Sequence, residues 1–288
     1  MNNKIISRNK VILLNIFMIA FATFTAIFFH AIFPGGEELD SVNFDGLIAR
    51  NIGFQLTAIL YFVLLFLHCV FVMQYFGKKA DMSKIQIGLR FGIVFALIYF
   101  FGMQEVVVEA SPFEKWGIDF VIFQFFMGLG DALPVLIICS VISIYSFQNK
   151  KNNFENKNMK KNEKIKMISL ITIIFTILRG IGYETGLIVS NVETYRIQSY
   201  LWTIIFGVVI GLSYVLLYPV FLNEQKRIYR IFKILVLTIG TNWLIFNSFM
   251  GMIFKNTLPQ MILRVGTDIV GIFLIVLLNE LFTKKRKN

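Results

Sequence analysis

Long apolar blocks alternate with short polar connections along the whole chain. Eight of these blocks reach the roughly 20 residues that an α-helix needs to cross the hydrocarbon core of a bilayer. We number them as spans 1 to 8 in chain order: residues 11–33, 52–76, 85–108, 118–147, 167–189, 199–222, 231–253 and 260–282. Barrel strands would be about half as long and would alternate between apolar and polar residues. The pattern therefore predicts an all-α polytopic membrane protein, with a single membrane domain over residues 1–288.

Composition supports this fold class and argues against a separate soluble domain. The chain is 57% hydrophobic and 16% charged, with a mean hydropathy of +0.71, whereas a soluble domain is typically about 45–50% apolar and about 25% charged. The longest polar segment, residues 149–166, is rich in Lys and Asn and too short to fold alone. We interpret it as a basic cytoplasmic loop between spans 4 and 5.

The basic residues predict how the bundle is oriented. With the N-terminus in the cytoplasm, 22 of the 28 Lys and Arg residues fall in cytoplasmic segments and four fall outside. Basic residues are retained on the cytoplasmic side of membrane proteins. The sequence thus predicts a cytoplasmic (inner) membrane protein with both termini in the cytoplasm. A missed or additional span would reverse the later loops and destroy this pattern.

The polar residues give little sign of a nucleic acid, a metal or a cofactor. The net charge of +11 is spread over separate loops and is not collected on one helix face, so we expect no nucleic-acid partner. His30 and His68 lie on different spans near opposite faces of the membrane, which argues against a metal site between them. His68 is better interpreted as a helix-packing residue with its hydrogen bonds satisfied. We expect no cofactor, and the expected partners are membrane lipids and a small polar or anionic solute.

Spans 4 and 8 contain a similar step, which suggests an internal repeat. Span 4 has Gly130-Asp131 and span 8 has Gly266-Thr267-Asp268, each followed three positions after the aspartate by a residue that weakens a helix. Four spans per half would give two parallel repeats about an axis along the membrane normal, as in some transporters. A 4+4 duplication is therefore one hypothesis, and chance similarity between two apolar segments is the other.

A layer of polar residues lies within the predicted spans at central-to-outer depth. A charge at this depth costs at least about 2.5–3.5 kcal/mol, so it is normally paired or faces a cavity. We predict that this layer binds a substrate through the following six residues: Asp131, Arg179, Glu184, Asn242, Arg264 and Asp268.

Pairing within this layer can be predicted from helical spacing. Arg264 and Asp268 are four residues apart and can neutralise each other on one helix face. Arg179 has no acidic residue three or four positions away, so its partner must come from another helix or be a bound anion. Depth favours Asp131 as that partner, followed by Glu184 and Glu105.

Span 4 is also expected to be distorted beside Asp131. Pro134 has no N–H to offer the Gly130 carbonyl, so a free carbonyl and a carboxylate lie side by side. Transporters build substrate and ion sites from such broken helices. The alternative is a structural kink in which Asp131 only bonds Arg179.

The same segment resembles the catalytic motif of intramembrane aspartyl proteases, the presenilin and signal-peptide-peptidase group. Gly128, Gly130 and Asp131 match the motif, and Pro134 follows where some members also carry proline. The resemblance implies a second aspartate in the preceding span, where the family has Tyr-Asp. This chain has no aspartate in span 3, and the family's Pro-Ala-Leu segment is also absent. A carboxylate from Glu105 or Asp268 would have to replace it.

Three functional hypotheses follow. The first is a small secondary transporter or permease-like protein with a polar site centred on Asp131 and Arg179, open to the outside. The second is a non-transporting membrane protein with a role in immunity, sensing or assembly. The third is an enzyme similar to the aspartyl proteases named above. A shared interior site supports the first hypothesis, and locked charge pairs without a cavity support the second.

Overall fold

The computed structural model describes residues 7–33, 43–108, 117–150 and 158–285. Within these ranges the chain is helical and contains no strand. Eight helices are long and apolar enough to cross a membrane, which confirms the predicted number of spans: Arg8–Ile32, Phe54–Gly77, Lys84–Met103, Val121–Ser146, Lys161–Glu184, Arg196–Phe221, Arg227–Ile253 and Leu258–Leu281. The helix of span 4 runs over Gly117–Ser146, and that of span 8 over Leu258–Lys285. These lengths and this hydropathy fit a multi-pass membrane protein.

Three spans change their helical geometry along their length. Spans 2 and 7 contain π-helical turns at Met73–Gly77 and Lys233–Gly240, and span 6 ends in a 3-10 turn at Tyr218–Phe221. A further 3-10 turn, Gln104–Val107, follows directly after span 3. In span 7 the π-helical geometry leaves the Leu237 carbonyl available to span 2, where it lies 3.1 Å from His68 Nε2.

Span 5 differs from its predicted bounds at both ends. It begins at Lys161, not at residue 167, because Glu163 accepts a hydrogen bond from the Lys160 backbone N–H and caps the first turn. It ends at Glu184, not at residue 189, shortly before Gly186, whose φ of +69° is unsuited to a helix. The last residues of the predicted basic loop 149–166 are thus part of the helix, and residues 151–157 lie outside the described residues.

Consecutive spans run in opposite directions, so the odd-numbered spans begin at one end of the bundle and the even-numbered spans begin at the other. We call the end where span 1 begins and span 8 finishes the terminal end. There Lys84 Nζ at the start of span 3 donates to the Ile144 carbonyl near the end of span 4, at 2.8 Å. At the opposite end, the far end, the Gly46 N–H before span 2 donates to the Ile253 carbonyl that closes span 7, at 2.9 Å.

Two pairs of glycines set the closest helix contacts. On span 3, Gly88 and Gly92 face span 4: a Cβ at Gly88 would lie 2.8 Å from the Cys139 carbonyl oxygen, and one at Gly92 would lie 3.2 Å from Leu136 Cα. On span 6, Gly207 and Gly211 face span 5. Small residues four apart let helix backbones approach closely, which is a main source of helix association in lipid. These two contacts join span 3 to span 4 and span 5 to span 6.

The outer surface of the bundle is apolar, as hydrocarbon requires. Phe24, Leu13 and Ile197 are among the large apolar side chains that are more than two-thirds exposed. Buried positions hold a continuous core rich in Phe, Ile and Val, with Trp243 and Tyr99 at its centre. The few charged side chains inside this core are therefore exceptional and define the candidate site.

Candidate functional site

Four charged side chains meet inside the bundle near the far end, and we call them the ion cluster: Glu105, Arg179, Arg264 and Asp268. Arg179 Nε and Nη2 donate to the two carboxylate oxygens of Asp268, each at 2.7 Å. Arg179 Nη1 donates to Glu105 Oε1 at 2.6 Å. Arg264 Nη1 lies 3.4 Å from the same Glu105 oxygen, so the four groups form one continuous network.

The ion cluster is buried and electrically balanced. The exposed fractions are 0% for Arg179, 1% for Asp268, 2% for Arg264 and 3% for Glu105. Among the described residues, two guanidinium groups face two carboxylates, so these four groups have no net charge when all are ionised. Burying a charged group costs free energy. The cost is offset where an oppositely charged partner lies close and two parallel hydrogen bonds join the pair, as they join Arg179 to Asp268. The Arg179 guanidinium also lies over the rings of Phe175 and Trp202, at 5.3 and 5.6 Å.

The cluster connects elements that are distant in sequence. Glu105 lies on the 3-10 turn after span 3, Arg179 lies little more than one turn before the end of span 5, and Arg264 and Asp268 lie on one face of span 8. Arg264 Nη2 additionally donates to the Val189 carbonyl, at 2.9 Å, in the loop 185–195 that covers this end. The ion cluster therefore joins spans 3, 5 and 8 and their covering loop at the far end.

Asp131 lies apart from this cluster, which differs from the expected pairing with Arg179. Its Oδ1 lies 2.9 Å from His30 Nε2 of span 1. Arg179 instead takes both carboxylates that reach it from spans 3 and 8. In the described part of the chain, both oxygens of Asp268 accept from Arg179, and Arg264 Nη1 lies near Glu105 where a pair with Asp268 was expected.

The remaining predicted site residues occupy two further places. Glu184 is at the surface of the far end, where it pairs with Arg196 and accepts a hydrogen bond from Tyr200 Oη at 2.9 Å. Asn242 is fully buried between spans 2, 3 and 7. The structure thus brings together Arg179, Arg264 and Asp268, and it places Asp131, Glu184 and Asn242 elsewhere. Substrate binding by these six residues stays a prediction.

A hydrogen-bond network surrounds Asn242. Its Nδ2 lies 3.0 Å from Tyr99 Oη and 3.2 Å from His68 Nδ1, and the other His68 ring nitrogen lies 3.1 Å from the Leu237 carbonyl. Leu237 belongs to the π-helical part of span 7, which presents this carbonyl to span 2. Both nitrogens of His68 are therefore engaged, in agreement with the packing role expected for this histidine.

The geometry around Asp131 does not match that of an aspartyl protease. Such enzymes hold two carboxyl groups together so that they share a proton. Here the hydrogen-bond partner of Asp131 is His30, whereas Glu105 and Asp268, the two candidates for a second carboxylate, both bind Arg179.

A polar cavity of about 390 Å³ opens at the terminal end, between the ends of spans 5, 6, 7 and 8. Three basic and two acidic side chains contribute to its lining: Lys166, Arg227, Arg230, Glu163 and Glu280. Arg227 pairs with Glu280 at 3.1 Å. Because the charges of Arg227 and Glu280 cancel, the other charged side chains that line the cavity, Lys166, Arg230 and Glu163, have one positive charge in excess.

The position of Arg230 in this cavity is fixed by its neighbours. Its two terminal nitrogens donate to Tyr218 Oη at 2.8 Å and to the Glu224 carbonyl at 2.7 Å. The Glu224 carboxylate accepts a hydrogen bond from Lys233, which lowers the pKa of that carboxyl below its usual value. Glu224 therefore stays anionic near neutral pH, and its backbone carbonyl helps to hold Arg230 in place.

Comparison with known proteins gives no match: no family model, no curated protein and no solved structure matches the chain. The fold supports the coarse statement that the chain is a helical, multi-pass membrane protein. Any finer function has to come from the chemistry of its own residues.

Proposed function

We propose that the protein is a permease-like secondary transporter for small anionic or polar solutes, in a state that is closed at the far end and open at the terminal end. One observation carries the proposal. Spans 5 and 8 hold a buried, neutral ion cluster near one end and line a polar cavity at the other.

The chemistry of the ion cluster suits a seal that can open. When a salt bridge between two spans breaks, each charged side chain needs a new polar partner. Water or a charged solute can provide it if the space that opens between the spans is filled with water. Arg179 can release Asp268 or Glu105 only if another anion or water replaces it, because an unpaired buried charge is costly. An anionic solute is one such replacement, and it would couple opening of the far end to occupancy.

The chemistry of the cavity suits an anionic ligand. Arg230, with its side chain fixed by Tyr218 and Glu224, offers a preorganised cation, and Lys166 adds a second. Preorganised cations bind carboxylates and phosphates with little loss of side-chain entropy. A volume of about 390 Å³ lies within the range of small-molecule sites. The proposed solute is therefore a small carboxylate, phosphate or zwitterion.

The orientation forms part of this proposal. The distribution of 22 basic residues against four supports a cytoplasmic position for the terminal end. The cavity then opens inward, and the ion cluster closes the outer half of the bundle. The location in the cytoplasmic membrane rests on the same distribution. The alternative, a membrane factor without transport, is favoured by the complete pairing of the ion cluster.

Solute uptake distinguishes the two functions. In membrane vesicles, we expect the wild type to accumulate at least one member of a panel of labelled carboxylates, phosphates and zwitterions. Asp268→Asn should lower the rate of that uptake by about tenfold or more, because it leaves the cluster with excess positive charge. Arg196→Gln removes an exposed ion pair with Glu184 and should leave uptake nearly unchanged.

Each variant should first elute as a single folded species from size-exclusion chromatography. Vesicles with the wild-type protein that accumulate no more of any solute than vesicles without it would contradict transport. Equal rates for the wild type and Asp268→Asn would show that the ion cluster takes no part in it.

A further inference from the structure

The pair formed by His30 and Asp131 is the one buried acid–imidazole contact among the described residues. Asp131 is 0% exposed, and its Oδ1 lies 2.9 Å from His30 Nε2. Its second oxygen, Oδ2, is buried and has no hydrogen-bond partner in the described part of the chain. A buried carboxylate with one oxygen unused is unusual, because such atoms are normally satisfied.

The pair differs from the ion cluster in its charge balance. Among the described residues of the ion cluster, two cations match two anions, and each of the four has an oppositely charged neighbour. An ionised Asp131 beside a neutral His30 has a net charge of −1, and no Lys or Arg is paired with it in the described residues. One added proton, accepted at His30 Nδ1 while Nε2–H bonds Asp131, changes the pair from −1 to zero. No other bond has to break.

His30 gives this pair a connection to the surface. It lies in the last turn of span 1, and its side chain is 28% exposed, whereas Asp131 is completely enclosed. The imidazole can therefore exchange protons at the far end, while the carboxylate supplies the negative charge that holds the proton. Histidine is suited to this task because its charge changes near neutral pH.

Close helix packing holds the two groups together. Gly130, beside Asp131, lies against span 1: a Cβ there would be 3.0 Å from Phe29 Cβ and 3.4 Å from His30 Cδ2. Pro134 lies in the next turn of span 4 and provides no N–H for the Gly130 carbonyl. The pair thus has a second acceptor next to it, in a place where only glycine lets the two helices meet.

The groups around the pair do not neutralise it. Tyr61 of span 2 is the titratable side chain that interacts electrostatically with Asp131, and Cys69 lies beyond it. On span 3, Arg90 donates to the Leu216 carbonyl at 2.6 Å, and Glu105 belongs to the ion cluster. Neither of these charged side chains is a partner of Asp131, so among the described residues His30 is the ion-pair partner of this carboxylate.

We propose that His30 and Asp131 form a proton-binding site that takes up one proton from the far side and supplies the coupling ion for transport. This inference rests on the proposed permease function for its physiological meaning. The binding of the proton itself can be tested without any solute.

The chain contains only two histidines, so isotope labelling reports on the site directly. We would label the full-length protein with ¹⁵N-histidine, place it in lipid nanodiscs, and record imidazole ¹⁵N spectra between about pH 4 and pH 9. His68→Gln assigns the remaining signal to His30. His68 is the internal control, because both of its ring nitrogens are engaged in the Asn242 network and its signal should not change in this range.

His30 should gain one proton reversibly as the pH falls. Asp131→Asn removes the negative charge that stabilises the protonated imidazole, so it should lower the proton affinity of His30 by at least about tenfold. Asparagine is similar in size to aspartate, so the substitution removes the charge and little else. The His68 signal in the same spectrum shows whether the variant is folded. A His30 signal that does not titrate, or that titrates identically in Asp131→Asn, overturns the proposal.

Coupling is tested in vesicles that transport a solute. Uptake driven by a pH gradient should be lost in Asp131→Asn, whereas exchange of labelled for unlabelled solute without a gradient should be retained. Gradient-driven uptake by Asp131→Asn at the wild-type rate overturns the coupling role. If the wild type shows neither gradient-driven uptake nor solute exchange, the proposed permease function is wrong. The ¹⁵N titration then still decides whether the proton site exists.

Discussion

Replacing Arg179 with methionine should lower the free energy of unfolding by about 3–5 kcal/mol, the range for removing one partner of a buried ion pair. The substitution keeps an unbranched side chain of similar length and removes the guanidinium. Asp268 then loses the two donors that Arg179 provides, and Arg264 is the cation left beside Glu105 among the described residues. The measurement is reversible unfolding in detergent micelles, followed by tryptophan fluorescence.

The matched control is Arg196→Met. Arg196 also pairs with a glutamate near the far end, but its side chain is 63% exposed. Exposed ion pairs contribute about 0–1 kcal/mol, so this variant should unfold nearly as the wild type does. The double variant Arg179→Met with Asp268→Asn restores charge balance, since Arg264 and Glu105 remain as a pair, and it should recover part of the loss. Equal stability of Arg179→Met and Arg196→Met would contradict the burial of the cluster.

Replacing Gly211 with leucine should separate spans 5 and 6 and lower the free energy of unfolding by about 1–3 kcal/mol, the usual cost of overpacking. A Cβ at Gly211 would lie 2.9 Å from Ile168 Cα and 3.1 Å from the Ile168 carbonyl oxygen, so the obstacle is backbone and cannot rotate away. Unfolding in detergent and the fraction of protein recovered as a single species both measure the effect.

Gly266→Leu is the control for this substitution. Gly266 lies within span 8, yet no atom lies within 4 Å of a Cβ built there. Surface substitutions away from special features usually change stability by no more than about 0.5 kcal/mol. Equal free energies of unfolding for Gly211→Leu and Gly266→Leu would contradict the close contact between spans 5 and 6.

The number of spans could be predicted from the sequence because hydrocarbon imposes both a length and an apolar surface on each helix. Helix ends were harder, since capping decides them. Span 5 begins earlier than its apolar block because Glu163 and Lys160 form a cap within a polar, lysine-rich segment. The orientation of the bundle and the 4+4 repeat stay predictions. Asp131 and Asp268, the residues that suggested the repeat, have different partners.

The buried charges could be predicted, whereas their pairing could not. Depth along a span is readable from the sequence, but the direction in which a side chain points depends on how the helices pack. Ranking by depth therefore favoured Asp131 for Arg179, and the 3-10 turn that carries Glu105 inward was not expected. Only arginines were weighed as partners of the buried aspartates, so the pairing of Asp131 with His30 was missed.

Two other features were missed although one had a visible signal. The glycines four apart on spans 3 and 6, at Gly88 and Gly92 and at Gly207 and Gly211, are a known pattern for close helix contacts in lipid. The cavity at the terminal end had no such signal, because residues from four different helices line it. We expected a site open to the outside, and the cavity opens at the end that we place in the cytoplasm.

The central claim is that the ion cluster closes one end of the bundle while the other end stays open. Two side chains at opposite ends test it: Leu222, which is half-buried, lines the cavity, and Ile188, 2% exposed, lies in the loop over the ion cluster. Cys69 and Cys139 are buried, so a single introduced cysteine can be followed with a water-soluble maleimide. In nanodiscs both ends are accessible, so the result does not depend on orientation.

Leu222→Cys should react readily and Ile188→Cys at least about tenfold more slowly, because reaction of Ile188→Cys requires opening of the closed end. Adding Asp268→Asn should speed the reaction of Ile188→Cys and leave that of Leu222→Cys unchanged. If Ile188→Cys reacts as fast as Leu222→Cys in the otherwise unchanged protein, the far end is open and the ion cluster does not close it.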